Sequence, residues 1–284
     1  MTPTDHDPRT HDPAALAAHA HAMRRDVVRL VGALGQGYVQ QGLGAADLFA
    51  TLFFSTLRLR AADPRWPDRD RFLLSTAHNS ALFHAALARR GLIDPARLDS
   101  YVQDGSTLEV NVSQRLGPLV EATLGSLGQG PSVGLGMALA LRRRGSPARV
   151  YVVLGDGELQ EGQVWEAAMY AGAHGIASLC VVIDLNFMQV EGHTDQVLRH
   201  EPLLDKWRAF GWQALAVDGH DIPALQRALA QADATRDRPT VIAATTLVGK
   251  GVGFLEGQLG HNMKLSPEDT RRALAVLDAA EVAA

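Results

Sequence analysis

Short apolar runs alternate with amphipathic segments along most of the chain, and this pattern predicts an α/β fold. The apolar runs predict five strands, at 72–75, 149–154, 179–185, 213–217 and 240–246. Apolar residues at helical spacing predict helices at 14–34, 45–57, 79–90, 131–144, 158–174, 202–210 and 222–234. Because strands and helices alternate, we expect a mostly parallel sheet with helices on both faces.

The pattern further predicts one domain preceded by a short tail. Residues 1–13 contain three prolines among Asp and His residues, a composition with too little apolar surface to offset the entropy of ordering, so we expect a flexible tail. No repeat, Gly/Ser linker or low-complexity block divides residues 14–284. The last helix is predicted to begin with Ser266 as N-cap and Pro267 in the first turn.

Asp156 and Asn186 each follow the end of a predicted strand. Ligands of parallel α/β sheets bind outside the carboxyl ends of the strands. Mg²⁺ takes oxygen ligands and usually only one or two carboxylates, so Asp156, Asn186 and the backbone carbonyl of Met188 fit a magnesium site. The helix predicted from residue 158 would direct its amide groups at an anion there, which favours a diphosphate.

The glycines on either side of Asp156, Gly155 and Gly157, would let the backbone turn sharply and approach a ligand closely. An ordinary strand–turn–helix connection with a capping Asp has the same local pattern. The tripeptide alone does not separate the two interpretations.

Four segments together resemble the transketolase family. The segment from Gly155 to Asn186 resembles the thiamine diphosphate motif, and Gly-Asp-Gly-Glu-Leu-Gln-Glu-Gly is similar to its transketolase form. Residues 125–130 resemble the loop that packs on the cofactor. Residues 70–75 with His78, and residues 249–252 with His261, resemble two further family segments, and the likeness spans about residues 24 to 265 in the family order.

This resemblance implies the N-terminal subunit of a two-component transketolase, which binds thiamine diphosphate and Mg²⁺ and transfers a two-carbon ketol unit from a ketose to an aldehyde. The pyrimidine-binding domain would come from a C-terminal partner subunit, in a complex expected to be a heterotetramer. The implied catalytic residues are His78, His261, Tyr38 and Glu161. The implied cofactor contacts are Gly125, Leu127, Gly155, Asp156, Gly157, Asn186, His78 and His261.

Two positions depart from the family pattern. Tyr38 and Asn111 stand where the family has histidines. Both side chains can donate hydrogen bonds, but neither titrates near neutral pH. We therefore expect a substrate other than the usual sugar phosphates. Glu161 and Glu166 are placed like acidic residues of the family's subunit interface, although a solvated helix face has the same pattern.

Charge, cysteine content and hydropathy argue against a nucleic-acid partner, an internal disulfide and a membrane span. The net charge of −4 and the absence of a long basic run argue against nucleic acid as a partner. The single cysteine, Cys180, lies in an apolar strand and excludes an internal disulfide. No stretch reaches the roughly 18 apolar residues of a membrane span, so we expect a cytoplasmic protein without a membrane partner.

Two alternative functions remain open at this point. An alpha subunit of a 2-oxo acid dehydrogenase shares the cofactor motif but passes an acyl group to lipoyl-lysine. A non-catalytic subunit could retain the fold without the reaction. The loop at 125–130, the Glu-Leu-Gln-Glu-Gly run and His261 favour the transketolase type over the dehydrogenase.

Overall fold

A computed structural model describes residues 9–76, 78–258 and 260–282 of the chain. Its central feature is a five-stranded parallel sheet with the order β2-β3-β4-β8-β7. The described strands are β1 (Gln36–Gly37), β2 (Arg71–Leu74), β3 (Val150–Gly155), β4 (Leu179–Leu185), β5 (Met188–Gln189), β6 (Gly192–His193), β7 (Gln213–Asp218), β8 (Thr240–Thr245) and β9 (Met263–Lys264). β1 pairs with β9 and β5 with β6, both antiparallel.

Helices cover both faces of this sheet. They are α1 (Pro13–Leu34), α2 (Val39–Gly44), α3 (Ala46–Thr51), α4 (Ser80–Arg89), α5 (Gln129–Arg143), α6 (Gly162–Ala173), α7 (Thr194–Val197), α8 (Leu203–Ala209), α9 (Ile222–Ala234) and α10 (Pro267–Val282). Short 3₁₀ segments lie at Pro95–Ser100, Gln114–Leu116 and Asp156–Gln160.

Successive side chains of β3 enter two different apolar cores. Tyr151 and Val153 pack in a core shared with α1, α3, α4, α9 and α10. Val150, Val152 and Leu154 pack in a second core with α5, α6 and α8. A strand that is buried on both faces needs an unbroken apolar run, which is the pattern that predicted it. The predicted α/β fold is confirmed.

The element boundaries follow the prediction except at two places. The helix predicted over 158–174 is wrong at its start, because Glu161 has an extended backbone (ψ 121°) that separates the 3₁₀ turn Asp156–Gln160 from α6. The helix predicted over 45–57 changes at Leu52 into a π-helical turn. That turn ends where the Leu57 amide donates to the Leu52 carbonyl at 2.8 Å.

Residues 1–8 of the predicted tail lie outside the described residues. The remainder contacts the body of the protein: the Thr10 amide donates to the Phe54 carbonyl at 2.7 Å, and His11 Nδ1 lies 2.9 Å from Ser55 Oγ. The Asp12 carboxylate accepts from the Ala14 amide at 3.1 Å and caps α1. At the other end of the chain, Ser266 Oγ accepts from the Asp269 amide at 3.0 Å, as its predicted role as N-cap requires.

Cys180 is fully buried, and burial raises the pKa of its thiol to about 12. It therefore acts as a small apolar side chain in the core. Within the described ranges, no helix is long and apolar enough to cross a membrane. The cytoplasmic location remains a prediction.

His84 of α4 is fully buried and predicts a pH-dependent stability. Its Nε2 donates to the Glu109 carbonyl at 3.1 Å, and burial lowers the pKa of the imidazole to about 4. An unfolded histidine titrates near ~6.5. Between these values the unfolded chain binds more protons than the folded one, so the free energy of unfolding falls as pH falls through this window.

We therefore expect His84→Gln, which keeps a donor for the carbonyl, to lose less stability in acid than the parent. From about pH 7 to about pH 5 the difference should be about 2 kcal/mol. Urea unfolding of both proteins at the two pH values measures it. The other buried histidines are the same in the parent and the variant. An equal loss of unfolding free energy in acid would therefore show that His84 is not the source of the pH dependence.

Candidate active site

Asp156 and Asn186 lie at the same edge of the sheet because β3 and β4 are neighbours. Gly155 at the end of β3 is in register with Asp184 of β4, and Asp156 and Asn186 come shortly after these partners. Asp156 Oδ2 accepts from Thr194 Oγ1 at 3.0 Å, and Oδ1 accepts from the Gly157 amide at 3.1 Å. The fold thus brings together the two side chains whose spacing predicted a metal site.

The electrostatics of this edge favour a bound cation. Asp156 is 1% exposed, and burial, with Asp184 nearby, raises the pKa of its carboxyl to about 7. Burial raises the pKa of Asp184 as well, against hydrogen bonds from Thr246, Asn79 and Asn186. A divalent ion would favour the charged form of the Asp156 carboxylate and offset its cost of burial.

The Asn186 side chain is oriented for such an ion. Its Nδ2 donates to Asp184 Oδ2 at 3.3 Å, and its Oδ1 accepts from the Met188 amide at 3.0 Å. An amide oxygen has two lone pairs, so Oδ1 can accept this bond and still coordinate a cation. In the described part of the chain, no three His, Cys, Asp or Glu side chains form a metal cluster. Asp156, Asn186 and the Met188 carbonyl offer only oxygen ligands, which fit Mg²⁺ better than a transition metal.

Glu158 organises the neighbouring loop. Its carboxylate is 2% exposed and accepts three hydrogen bonds: from Ser75 Oγ at 2.6 Å, the Gly128 amide at 2.9 Å and the Gly155 amide at 3.0 Å. The donors come from the ends of β2 and β3 and from the loop at 125–130. Sequence reasoning missed this role, because Glu158 was interpreted only as the start of a helix.

The loop at 125–130 lies beside the carboxyl edge of the sheet as predicted. Gly128 has φ 78°, and a Cβ there would lie 2.5 Å from Glu161 Cβ, so both conformation and space require glycine. A Cβ on Gly125 would meet the Asn111 side chain at 2.9 Å. The loop therefore contacts both Glu161 and Asn111. Leu127 is 43% exposed at its tip.

Gly155 and Gly157 lie close to other side chains and do not make a turn that only glycine permits. Neither has a positive φ. A Cβ on Gly155 would lie 3.1 Å from His78 Cε1, and one on Gly157 would lie 3.3 Å from Gln189 Cβ. The prediction that these glycines make a sharp turn through their conformational freedom is therefore wrong. The group that approaches Gly155 closely is the His78 ring.

Three aromatic rings form a second group next to Gly155. The ring centroids of Tyr38 and His261 are 5.1 Å apart, those of His78 and His261 are 5.6 Å apart, and those of Tyr38 and His78 are 6.4 Å apart. His78 Nε2 is buried and has no hydrogen-bond partner among the described residues. Burial, with His261 close by, lowers the pKa of His78 to about 3, so its ring is neutral at pH 7.

Two glutamines of α2 hold the segment that contains His261. Gln40 Nε2 donates to the Leu255 carbonyl at 2.8 Å, and Gln41 Nε2 lies 3.4 Å from His261 Nδ1. Both side chains are buried. Sequence reasoning missed them, although two adjacent glutamines next to Tyr38 were a visible signal.

Not every predicted residue joins these groups. Glu161, just before α6, and Glu166, in its first half, are exposed, and Glu161 contacts the loop at 125–130. The roles proposed from the sequence for Glu161 and for Leu127 stay predictions.

Residues 16–277 match the sequence model of the transketolase thiamine diphosphate binding domain. The chain belongs to the transketolase family. It is 39% identical over 264 residues to the 6-deoxy-6-sulfo-D-fructose transketolase subunit of Clostridium sp. (strain MSTE9), covering 93% of this chain and 96% of that subunit. It is 32% identical to an apulose-4-phosphate transketolase subunit of Phocaeicola vulgatus, covering 82% of this chain and 83% of that one.

Solved structures of the family have the same fold. The transketolase from Leishmania mexicana superposes with a TM-score of 0.86 at 30% identity, over 93% of this chain but 41% of that one. The chain thus spans less than half of the full-length transketolases while matching the separate subunits over most of their length. The predicted thiamine diphosphate cofactor, with a divalent metal ion, and the transketolase type of transferase are confirmed in preference to the 2-oxo acid dehydrogenase type.

Proposed function

We propose that this chain is the diphosphate-binding subunit of a two-component transketolase that acts on an unusual ketose. The observation that carries the proposal is the juxtaposition of a buried oxygen-ligand site, Asp156 with Asn186, and the unpartnered His78 Nε2 at one edge of the sheet. One group suits a metal-bound diphosphate. The other suits a substrate with several hydroxyl and carbonyl oxygens.

The first group would hold the cofactor by its diphosphate. Asp156, Asn186 and the Met188 carbonyl would coordinate Mg²⁺, and amides of the loop at 125–130 would contact the diphosphate together with Gly155 and Gly157. Thiamine diphosphate, when bound, supplies the nucleophile and the electron sink for cleavage of a carbon–carbon bond. The protein contributes orientation and a site from which water is excluded.

The second group would bind and orient the sugar. His78 Nε2 has no partner among the described residues, so it has an unused hydrogen-bonding site for a hydroxyl or carbonyl oxygen of the substrate. The Tyr38 hydroxyl would donate to a developing negative charge on a substrate oxygen. His261, steadied by Gln41, would accept or return a proton, since an imidazole is the side chain best suited to this near pH 7.

The remaining half of the active site would come from a partner subunit with the pyrimidine-binding domain. Two named relatives are called subunits and are matched over 96% and 83% of their lengths. We propose a heterotetramer in which the exposed face of α6, with Glu161 and Glu166, lies at a subunit interface. Met169 and Tyr170 on the same helix are 48% and 45% exposed, which suits a surface that a partner covers.

The proposed substrate class is a ketose other than the ordinary pentose and hexose phosphates. Tyr38 lies against His261, so the hydrogen-bonding group that faces the substrate there is a phenol. The relatives named above act, by their names, on 6-deoxy-6-sulfo-D-fructose and apulose 4-phosphate. A sulfonated or otherwise modified sugar is the class that we infer from both observations.

A reconstitution assay tests the proposal. The purified chain, a candidate C-terminal subunit with a pyrimidine-binding domain, and their mixture are each supplied with thiamine diphosphate, Mg²⁺, a panel of ketoses and an aldehyde acceptor. We expect ketol transfer only in the mixture, because the described chain provides only one side of the cofactor site. Ketol transfer by the chain alone, or acylation of lipoyl-lysine by the mixture, would contradict the proposal.

A further inference from the structure

A large cleft lies at the opposite end of the sheet from Asp156. It opens beside the amino ends of β3 and β4, has a volume of about 1030 Å³ and extends between the ends of α5 and α9. Its size is at the upper end of the range for small-molecule pockets. None of the residues placed in the active site lines it.

The charge of this cleft is opposite to that of the whole chain. Six arginines line it, against two aspartates, in a protein with a net charge of −4. The arginines are Arg9, Arg58, Arg142, Arg149, Arg227 and Arg236. Such a concentration of one sign in a concave surface raises the local concentration of anions.

One of the two aspartates is already neutralised. Asp70 accepts a bidentate pair from Arg58, with Nη2 at 2.7 Å from Oδ1 and Nε at 3.1 Å from Oδ2. The Arg58 and Arg149 amides complete its hydrogen bonds. The charge of Asp70 is therefore balanced by Arg58, and positive charge remains in excess across the cleft.

Arg149 is a buried arginine at the bottom of the cleft, and hydrogen bonds fix the position of its guanidinium. Its side chain is 7% exposed, and Nη2 donates to the Ala177 and Ala232 carbonyls, each at 2.8 Å. Nε is buried and has no hydrogen bond among the described residues, with Asp233 Oδ1 3.5 Å away. The two carbonyls orient the guanidinium, and the exposed Asp233 carboxylate balances part of its charge. Positive charge remains in excess in the cleft, because six arginines line it against two aspartates.

Three exposed arginines form the rim. Arg142 lies in the last turn of α5, Arg227 lies on α9, and Arg236 follows α9. Arg227 forms no hydrogen bond or ion pair with the described residues. These side chains can close on a ligand, and guanidinium groups match phosphate oxygens in charge and geometry.

We propose that this cleft binds a phosphorylated metabolite with at least two negative charges, at a site separate from the active site. The buried Arg149 would supply a fixed charge at the floor, and Arg227 and Arg236 would contact phosphate oxygens from the rim. The volume admits a nucleotide or a sugar bisphosphate as well as pyrophosphate. All three share the charge that the arginines recognise.

Titration calorimetry of the full chain with Mg²⁺-free pyrophosphate, ATP and fructose bisphosphate at fixed ionic strength tests this. We expect at least one of them to bind, and the affinity to fall by about tenfold or more in the double variant Arg227→Ala, Arg236→Ala, because two charge-assisted contacts are lost. Stronger binding of ATP than of pyrophosphate would identify a nucleotide. Stronger binding of the bisphosphate would identify a sugar phosphate.

Two controls separate this cleft from other anion sites. Arg271→Ala, which removes an exposed arginine on α10, should leave the affinity unchanged. Asp156→Ala should also leave it unchanged, because the cofactor site is at the other edge of the sheet. Absence of binding by all three anions, full affinity in the double variant, or loss of binding in Asp156→Ala would each overturn the proposal.

Discussion

Asp156→Ala should abolish binding of thiamine diphosphate by the assembled enzyme. Asp156 is the one carboxylate that we assign to the metal, and its neighbours on Mg²⁺ would be an amide oxygen and a carbonyl, which carry no net charge. Calorimetry with Mg²⁺ and the cofactor measures the loss. Undiminished affinity in the variant would show that the metal is bound elsewhere.

The stability of the cofactor-free variant distinguishes this loss from unfolding. Asp156→Ala loses the hydrogen bonds from Thr194 and the Gly157 amide but also removes a carboxylate whose ionisation burial opposes, so without cofactor the variant should still fold and melt cooperatively. Asp195→Ala is the matched control, because it removes an exposed carboxylate next to Thr194 in the same segment. That variant should bind the cofactor as the parent does.

Tyr38→Phe should lower turnover of the native substrate by about 10²- to 10³-fold, which is the usual cost of removing one donor to a developing oxyanion. The phenyl ring can keep its edge contact with His261, so the change isolates the hydroxyl. Steady-state kinetics of the reconstituted enzyme over a panel of ketoses measures it. Tyr38→His, in the same panel, should shift preference toward ordinary sugar phosphates.

Tyr151→Phe is the control for Tyr38→Phe. Tyr151 is buried on β3 at the opposite end of the sheet from the active site, so loss of its hydroxyl should leave turnover unchanged. Full activity in Tyr38→Phe would show that the Tyr38 ring only packs. A parent enzyme that prefers xylulose and ribose phosphates would show that the substitution at this position does not set the substrate.

The strands were predictable because burial on both faces leaves a long apolar run in the sequence. β4, for example, was predicted with both boundaries correct. Asp156 and Asn186 were predictable for a related reason: residues that follow neighbouring parallel strands must meet at one edge. The apolar pattern along the chain records burial, and β3 and β4, which are consecutive long strands in the sequence, are also neighbours in the sheet.

The missed features depend on contacts between distant segments. Glu158 belongs by its position to the start of a helix, and only the approach of Ser75 and Gly128 makes it a buried acceptor. The spacing that Gly155 requires comes from the His78 ring, which is far away in sequence. Gln40 and Gln41 likewise acquire a role only when the segment before β9 folds against α2.

The three hydrogen bonds to Glu158 have a consequence for cofactor affinity. They connect the Gly128 amide and the end of β3 through contacts within the protein. Ordering a mobile loop opposes binding, whereas a loop that is already fixed leaves the full interaction free energy for the ligand. In the proposed complex, this single buried carboxylate would keep the loop beside the diphosphate in place, and the partner subunit would need to organise only its own half.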